Sequence, residues 1–344
     1  MQFLDLKKNL KKNFSTLRPV KVAVLGDTAT QLLTQATRGY GYQFGLNLEV
    51  FEADYDQIDR QIMDNSSDLH RAAPDFVIIF QATQKLLKRF YTTAGSDRAN
   101  FGRLESERIE RWTRALVANL PKTKIIALNF PELDDAVFGN YANKTAISFL
   151  YQLRRLNLDL MQLAQTTKNL SICDVAVLQG SCGAQMAFAP RLYIEADMVF
   201  SLDFLPILAK SIIDIIRVSS GFFKKALIMD LDNTLWGGVI GDDGIEGIQI
   251  GELGQGKAFT ELQKWVLQLK QRGILLAICS KNDAQLAREP FEKHSDMELS
   301  LDDIAMFVAN WDSKVDNIRS IQAFFNIGFD SMVFPQRWPN LRGQ

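Results

Sequence analysis

Two carboxylates separated by one residue, directly after an apolar run, are the feature of this sequence best suited to chemistry. The run Ala226-Leu227-Ile228-Met229 leads into Asp230-Leu231-Asp232-Asn233-Thr234-Leu235. A carboxylate at the C-terminal edge of a buried strand can attack phosphorus and form an aspartyl phosphate. An acid two positions further on can protonate a leaving group and later take a proton from water. Because phosphate repels the first carboxylate, Mg2+ is expected as the ion that neutralises charge and orients the reactant. Taken alone, Asp-x-Asp-x-Thr also describes a surface turn with solvated acids.

Two later segments repeat the pattern of an apolar run followed by polar groups. Residues 274–279, Ile-Leu-Leu-Ala-Ile-Cys, end at Ser280 and continue into Lys281-Asn282-Asp283. The Ser280 hydroxyl and nearby backbone N–H groups can hold phosphate oxygens. In Asn310-Trp311-Asp312-Ser313-Lys314 the lysine opens an expected helix, where its ammonium can neutralise a transferring phosphoryl group. An isolated helix lysine is ordinarily solvated, and it is the order of the three segments that favours a site. Cys279 has two readings: a small residue packed at the end of a core strand, or a thiol beside the phosphate able to accept an acyl group.

These segments together resemble the haloacid dehalogenase superfamily. More narrowly, residues 232–241 (Asp-Asn-Thr-Leu-Trp-Gly-Gly-Val-Ile-Gly), Cys279-Ser280-Lys281-Asn282-Asp283 and residues 310–318 resemble the FkbH-like branch of its subfamily IIIC. The similarity runs from about residue 225 to about residue 334. It implies that Asp230 is the nucleophile and Asp232 the acid and base, with Thr234, Ser280, Lys281 and Lys314 around the phosphate. The Mg2+ ligands it implies include Asp230 and the main-chain carbonyl of Asp232. It further implies a phosphorylated three-carbon acid as substrate and an acyl carrier protein as acceptor, the setting in which Cys279 would serve as an acyl thiol. The sequence departs from the family in one place. The family carries an acidic pair after its fourth strand, whereas here residues 332–334 run into Pro335-Gln336-Arg337-Trp338-Pro339-Asn340, and no carboxylate follows Asp330. A weakened metal site, in a domain incomplete at its C-terminus, is therefore expected. Two other functions stay open: a general small-molecule phosphatase, and a catalytically impaired binding protein.

Strands must bring these segments to one edge. Strand patterns are expected at residues 225–229, 274–279, 306–309 and 331–334, with helices at 257–271, 283–292 and 314–326. Residues 236–256, rich in Gly and acids, leave room for a small flap and not for a large cap. A separate alternating series precedes them, with strands at 20–25, 48–52, 76–80, 124–129 and 171–177 and helices at 2–13, 101–119, 141–164 and 205–218. Strands alternating with helices imply parallel sheets. The expected fold is α/β: two Rossmann-like three-layer α/β/α domains, 1–218 and 219–344, the second haloacid dehalogenase-like.

In the first domain, Gly26-Asp27-Thr28 follows the first strand where SGNH-type hydrolases carry Gly-Asp-Ser, and the resemblance covers roughly residues 20–218. A hydroxyl nucleophile needs a base, and the chain has two histidines. His70 reads as a solvated helix-end residue and His294 belongs to the second domain. Where an Asp-x-x-His is expected the sequence reads Pro190-Arg191-Leu192-Tyr193-Ile194-Glu195-Ala196-Asp197. Asp27 and Thr28 thus form either a substrate-binding loop or an N-cap for the next helix. Asn129-Phe130-Pro131 reads as a loop terminator. A hydrolase-like fold without esterase machinery is expected, used to bind a carrier, an acyl unit or the neighbouring domain.

Composition sets the outer bounds. The 344 residues are long for one core. With 39 basic and 40 acidic residues the net charge is −1, which recommends neither nucleic acid nor an anionic membrane as partner. Three scattered cysteines argue against a disulfide framework and for a reducing, cytoplasmic setting. No apolar run of about 18 residues is present.

Overall fold

The computed structural model describes residues 1–335, and the chain divides into two compact units, Met1–Ser220 and a second from Gly221 onward. In the first unit the strands are β1 Arg18–Gly26, β2 Leu46–Glu52, β3 Phe76–Phe80, β4 Lys124–Leu128 and β5 Leu170–Cys173. They form one parallel sheet in the order β2-β1-β3-β4-β5. Parallel neighbours cannot be joined by a tight turn, so helices such as Gln31–Gln43 and Phe101–Asn119 carry the chain back between strands.

Strand side chains alternate between faces, and β1 shows the consequence. Val20, Val22 and Val24 enter one core with Leu33, Leu208 and Ile212. Ala23 and Leu25 enter the other with Trp112, Phe149 and Leu153. Helices cover both faces, so β3, Phe-Val-Ile-Ile-Phe, is buried at every position.

Three expected elements differ from the observed ones. The strand expected at 171–177 stops at Cys173, because the Asp174 side chain accepts from the Val177 N–H and starts the helix Val175–Cys182. The helix expected over 141–164 is split. A 3-10 segment, Gly139–Lys144, precedes Ser148, whose hydroxyl accepts from Tyr151 N–H and begins Phe149–Thr166. The N-terminal helix is shorter than expected, at Phe3–Asn9.

The second unit repeats the design with β6 Ala226–Met229, β7 Leu275–Ser280, β8 Met306–Ala309 and β9 Met332–Val333, parallel in the order β8-β7-β6-β9. Leu227 and Met229 pack with Trp236, Val266 and Ile278, while Ala226 and Ile228 pack with Cys279 and Ile321 on the other side. The expected flap, residues 236–256, contains the helix Ile240–Gly247, broken at Gly244, whose φ of 67° suits glycine. Gly237 and Gln249 close its base by exchanging two backbone hydrogen bonds of 2.8 and 2.9 Å. Because all four strands run the same way, the segments leaving β6, β7 and β8 emerge at one edge. Those segments contain Asp230, Asn282 and Lys314.

Candidate active site

Asp230 follows the last residue of β6 and is half-buried. Its Oδ1 accepts the Leu231 N–H at 2.9 Å, and its Oδ2 is ion-paired with Lys314 Nζ. Lys314 is the first residue of the helix Lys314–Phe325. The start of that helix is fixed by a reciprocal amide pair. Asn317 donates to Asn310 at 2.7 Å, Asn310 donates back at 3.3 Å, and Asn310 N–H also donates to the Ser280 carbonyl at 3.3 Å. The end of β7 thereby holds the loop that presents the ammonium to the carboxylate.

Asp232 lies in a tight turn. Asn233 adopts a left-handed φ of 53°, a conformation Asn tolerates, and exchanges hydrogen bonds of 3.1 Å with Gly238. The Asp232 carboxylate takes three donors: Trp236 Nε1 at 3.1 Å and Ile240 N at 3.0 Å on Oδ1, and Asn282 Nδ2 at 2.8 Å on Oδ2. Trp236 is fully buried and Asn282 nearly so. Asn282, Trp236, Asn310 and Asn317 all lie within the sequence motifs, which by themselves give them no role. The signal was their spacing inside those motifs.

The remaining expected residues are placed less uniformly. Ser280 ends β7, buried, opposite Ala309 of β8. Thr234 is half-buried, with its N–H donating to the Leu231 carbonyl, and Lys281 is exposed. Among the described residues, no hydrogen bond or ion pair ties the Thr234 or Lys281 side chain to Asp230, Asp232 or Lys314. Cys279 is fully buried in the core with Ile228 and Ile321. Burial pushes its thiol pKa up; Lys314 opposes the shift and Asp230 adds to it. A neutral, packed thiol is the opposite of an activated nucleophile, so the geometry favours the packing role over that of acyl thiol.

Mg2+ prefers oxygen donors, keeps several waters, and is commonly held by one or two carboxylates together with substrate phosphate. Asp230 and the Asp232 carbonyl meet the lower limit of that requirement. Asp232 commits both side-chain oxygens to N–H donors. Asp330 lies in the turn before β9, its carbonyl accepting from Lys224 just upstream of β6, and so at the far end of the strands. Among the described residues, no group of three or more His, Cys, Asp or Glu is placed to hold a metal ion. Both Asp230 oxygens are engaged as well, by Leu231 N–H and by Lys314, so Asp230 and the Asp232 carbonyl would hold Mg2+ only with water and substrate phosphate completing the shell. The expected departure after β9 falls mostly on residues 336–344, outside the described residues.

In the first unit, Asp27 and Thr28 do not cap the following helix. Its N-cap is Thr30. Asp27 Oδ1 instead accepts the Ala82 N–H at 2.8 Å, joining the end of β1 to the end of β3. Its Oδ2 is buried, with no hydrogen bond among the described residues. Arg89 Nη1 is 3.7 Å away, and that guanidinium is committed to Glu105 through bonds of 3.0 and 3.1 Å. Burial pushes the Asp27 pKa up to about 6, against the Ala82 hydrogen bond and Arg89. The Thr28 hydroxyl donates to the Asp197 carbonyl, not to a base. The Asp197 carboxylate takes Tyr55 OH at 2.6 Å and Lys85 Nζ at 2.9 Å. His70 is not a solvated helix-end residue: its Nδ1 meets Ser67 Oγ at 2.9 Å, and its Nε2 is buried. Asn129 does more than end a loop, accepting from Ala176 N–H and donating to Asp174 Oδ1. No helix among the described residues is long and apolar enough to cross a membrane.

Residues 21–217 match the family described as FkbH, N-terminal domain. Among solved structures, the chain is similar to the N-terminal part of a Bacteroides fragilis protein that contains a phosphatase domain complexed with Mg. The two are 46% identical with a TM-score of 0.90, over 97% of this chain and 88% of that one. Lower similarity is found to a lipase/acylhydrolase of Enterococcus faecalis (16% identity, TM-score 0.39, 58% of this chain and 96% of that one). A family 3 carbohydrate esterase of Clostridium thermocellum is comparable (12%, 0.42, 59% and 100%). Among curated proteins nothing matches.

Proposed function

The chain belongs to the FkbH family, and from that premise we propose that its second unit is a haloacid dehalogenase-type phosphatase or phosphotransferase working through Asp230. The observation that carries this reading is the ion pair between Asp230 and Lys314, with Asp232 held two residues away. The Asp230 carboxylate attacks phosphorus while Asp232 gives a proton to the departing oxygen. Lys314 neutralises charge on the phosphoryl group, and Ser280 with its neighbouring backbone supports the phosphate oxygens. In the second step Asp232 takes a proton from the acceptor that attacks the aspartyl phosphate. Mg2+, held by Asp230 and the Asp232 carbonyl, would supply further charge neutralisation. A metal in the phosphatase-containing Bacteroides neighbour supports that assignment.

The substrate we propose is a phosphorylated three-carbon acid, with an acyl carrier protein as the final acceptor of the acyl unit. Family membership supports this, and in the first unit the Thr28 hydroxyl donates to a carbonyl instead of meeting a base. A second reading, a catalytically impaired binder, is favoured because no group of three or more His, Cys, Asp or Glu among the described residues is placed to hold a metal ion. Phosphate release should be measured with and without Mg2+ and carrier, in the parent and in Asp230→Asn. Mg2+-dependent release that is lost in the variant eliminates the binder. Release that is identical with and without carrier defeats the transfer step and leaves a phosphatase.

A further inference from the structure

The Asp232 carboxylate is held asymmetrically. An ionised carboxylate oxygen offers about two lone pairs. Oδ1 uses both, accepting Trp236 Nε1 and Ile240 N, whereas among the described residues Oδ2 accepts from Asn282 Nδ2 alone. We infer that Oδ2 is the oxygen that delivers the proton to the leaving group, and that Asn282 is the positioning residue that aims it. The inference rests on Asp232 acting as acid and base, and adds which oxygen acts and what orients it.

The surroundings explain why one amide can have that effect. Oδ1 is pinned by a fully buried indole, which packs edge-on against Phe291 at 5.9 Å between ring centroids, and by the N–H of buried Ile240. Rotation about the final side-chain bond of Asp is otherwise soft. Both oxygens turn together about that bond, so Asn282, buried just beyond β7, completes with Trp236 and Ile240 the set of contacts that fixes where Oδ2 points. In the step concerned, the Asp230 Oδ–P bond forms and the P–O bond to the leaving group breaks. Its electron pair stays on the departing oxygen, which takes the Asp232 proton. A leaving group that departs as a stable anion needs that proton little, and an alkoxide needs it badly.

Leaving-group dependence therefore separates aiming a proton from merely tying two loops together. The full chain, its Asn282→Ala variant and its Asp232→Asn variant should be compared in Mg2+ buffer by kcat/KM on 4-nitrophenyl phosphate and on a primary alkyl phosphate. Asn282→Ala is expected to lose at least about ten-fold more on the alkyl than on the aryl ester, within the range that general acid catalysis supplies. Asp232→Asn should show the same bias, enlarged. Equal losses on both esters in Asn282→Ala, with a biased Asp232→Asn, overturn the role of Asn282 and leave the acid–base reading standing. An unbiased Asp232→Asn overturns that reading and this inference with it. If Asn282→Ala does not fold, the similarly sized Asn282→Leu, which lacks the N–H donor and adds no charge, is put through the same comparison and decides in the same way.

Discussion

Lys314 Nζ is paired with Asp230 Oδ2 across 84 residues of sequence, and the contact exists because β6 and β8 flank β7 with their C-terminal ends at the same edge. Both side chains are about 30% exposed, at 33% and 28%. The pair therefore contributes little to folding, on the order of 0–1 kcal/mol. On the proposed reading, its value lies in placing a cation where phosphoryl charge would develop.

Replacing Lys314 with Ala should accordingly separate activity from stability. Phosphate release is expected to fall by roughly 10²–10³, the loss typical of removing one preorganised electrostatic contact. The thermal midpoint should move little. A variant that melts far earlier, or one that keeps most of its activity, would argue that the lysine is structural.

Magnesium affinity follows from the donor count. With the Asp230 carboxylate and the Asp232 carbonyl as the proposed donors among the described residues, the ion needs substrate phosphate to complete its shell. Calorimetric titration should therefore show weak Mg2+ binding that inorganic phosphate strengthens. Tight binding that phosphate leaves unchanged would mean that donors beyond Asp230 and Asp232 complete the site.

Thiol reactivity tests the placement of Cys279. Of the three free cysteines, Cys173 and Cys279 are buried and Cys182 is half-buried. Burial pushes the Cys173 thiol up to about 11 and raises Cys279 as well. A thiol reagent should modify Cys182 first in the native protein. Cys279→Ala should load carrier as the parent does, at a stability cost of about 1 kcal/mol. Loss of loading in that folded variant would restore the acyl-thiol reading.

Strand patterns and acid spacing made much of this architecture readable before any coordinates. β3 and β8 and the helix Phe101–Asn119 fall at the expected residues because their patterns are uninterrupted. The errors arose where a short polar side chain redirects the backbone. Asp174 converts an expected strand end into a helix start, and Ser148 restarts a helix after a 3-10 turn. Such choices depend on a single hydrogen bond, which periodicity does not encode. In the candidate site, residue types singled out Asp230 and Lys314, which the structure brings together, whereas the partners of Asp232 depend on how the loops after β6 and β7 fold against each other. For Asp27 the sequence pattern allowed a helix cap, but the carboxylate turns to Ala82, whose N–H is brought near by the β1–β3 register.

That placement makes Asp27 a source of pH-dependent instability in the first unit. Its ordinary pKa is 3.8 and in the folded chain it is about 6, raised chiefly by burial. A carboxyl with a raised folded-state pKa binds protons more tightly folded than unfolded, so stability falls as pH rises between those values. Below about 4 both states are protonated and the group has no effect; above about 6 the full penalty applies, up to roughly 3 kcal/mol. Asp27→Asn keeps an oxygen for the Ala82 N–H and removes the buried charge. The variant should be more stable than the parent at pH 7, with an advantage that shrinks through pH 6 and 5 and vanishes near pH 4. Denaturant unfolding of both proteins across that range measures the difference directly, because groups common to both cancel. An advantage that does not change with pH would mean that Asp27 stays ionised throughout and that Arg89, 3.7 Å from its unbonded oxygen, compensates its burial.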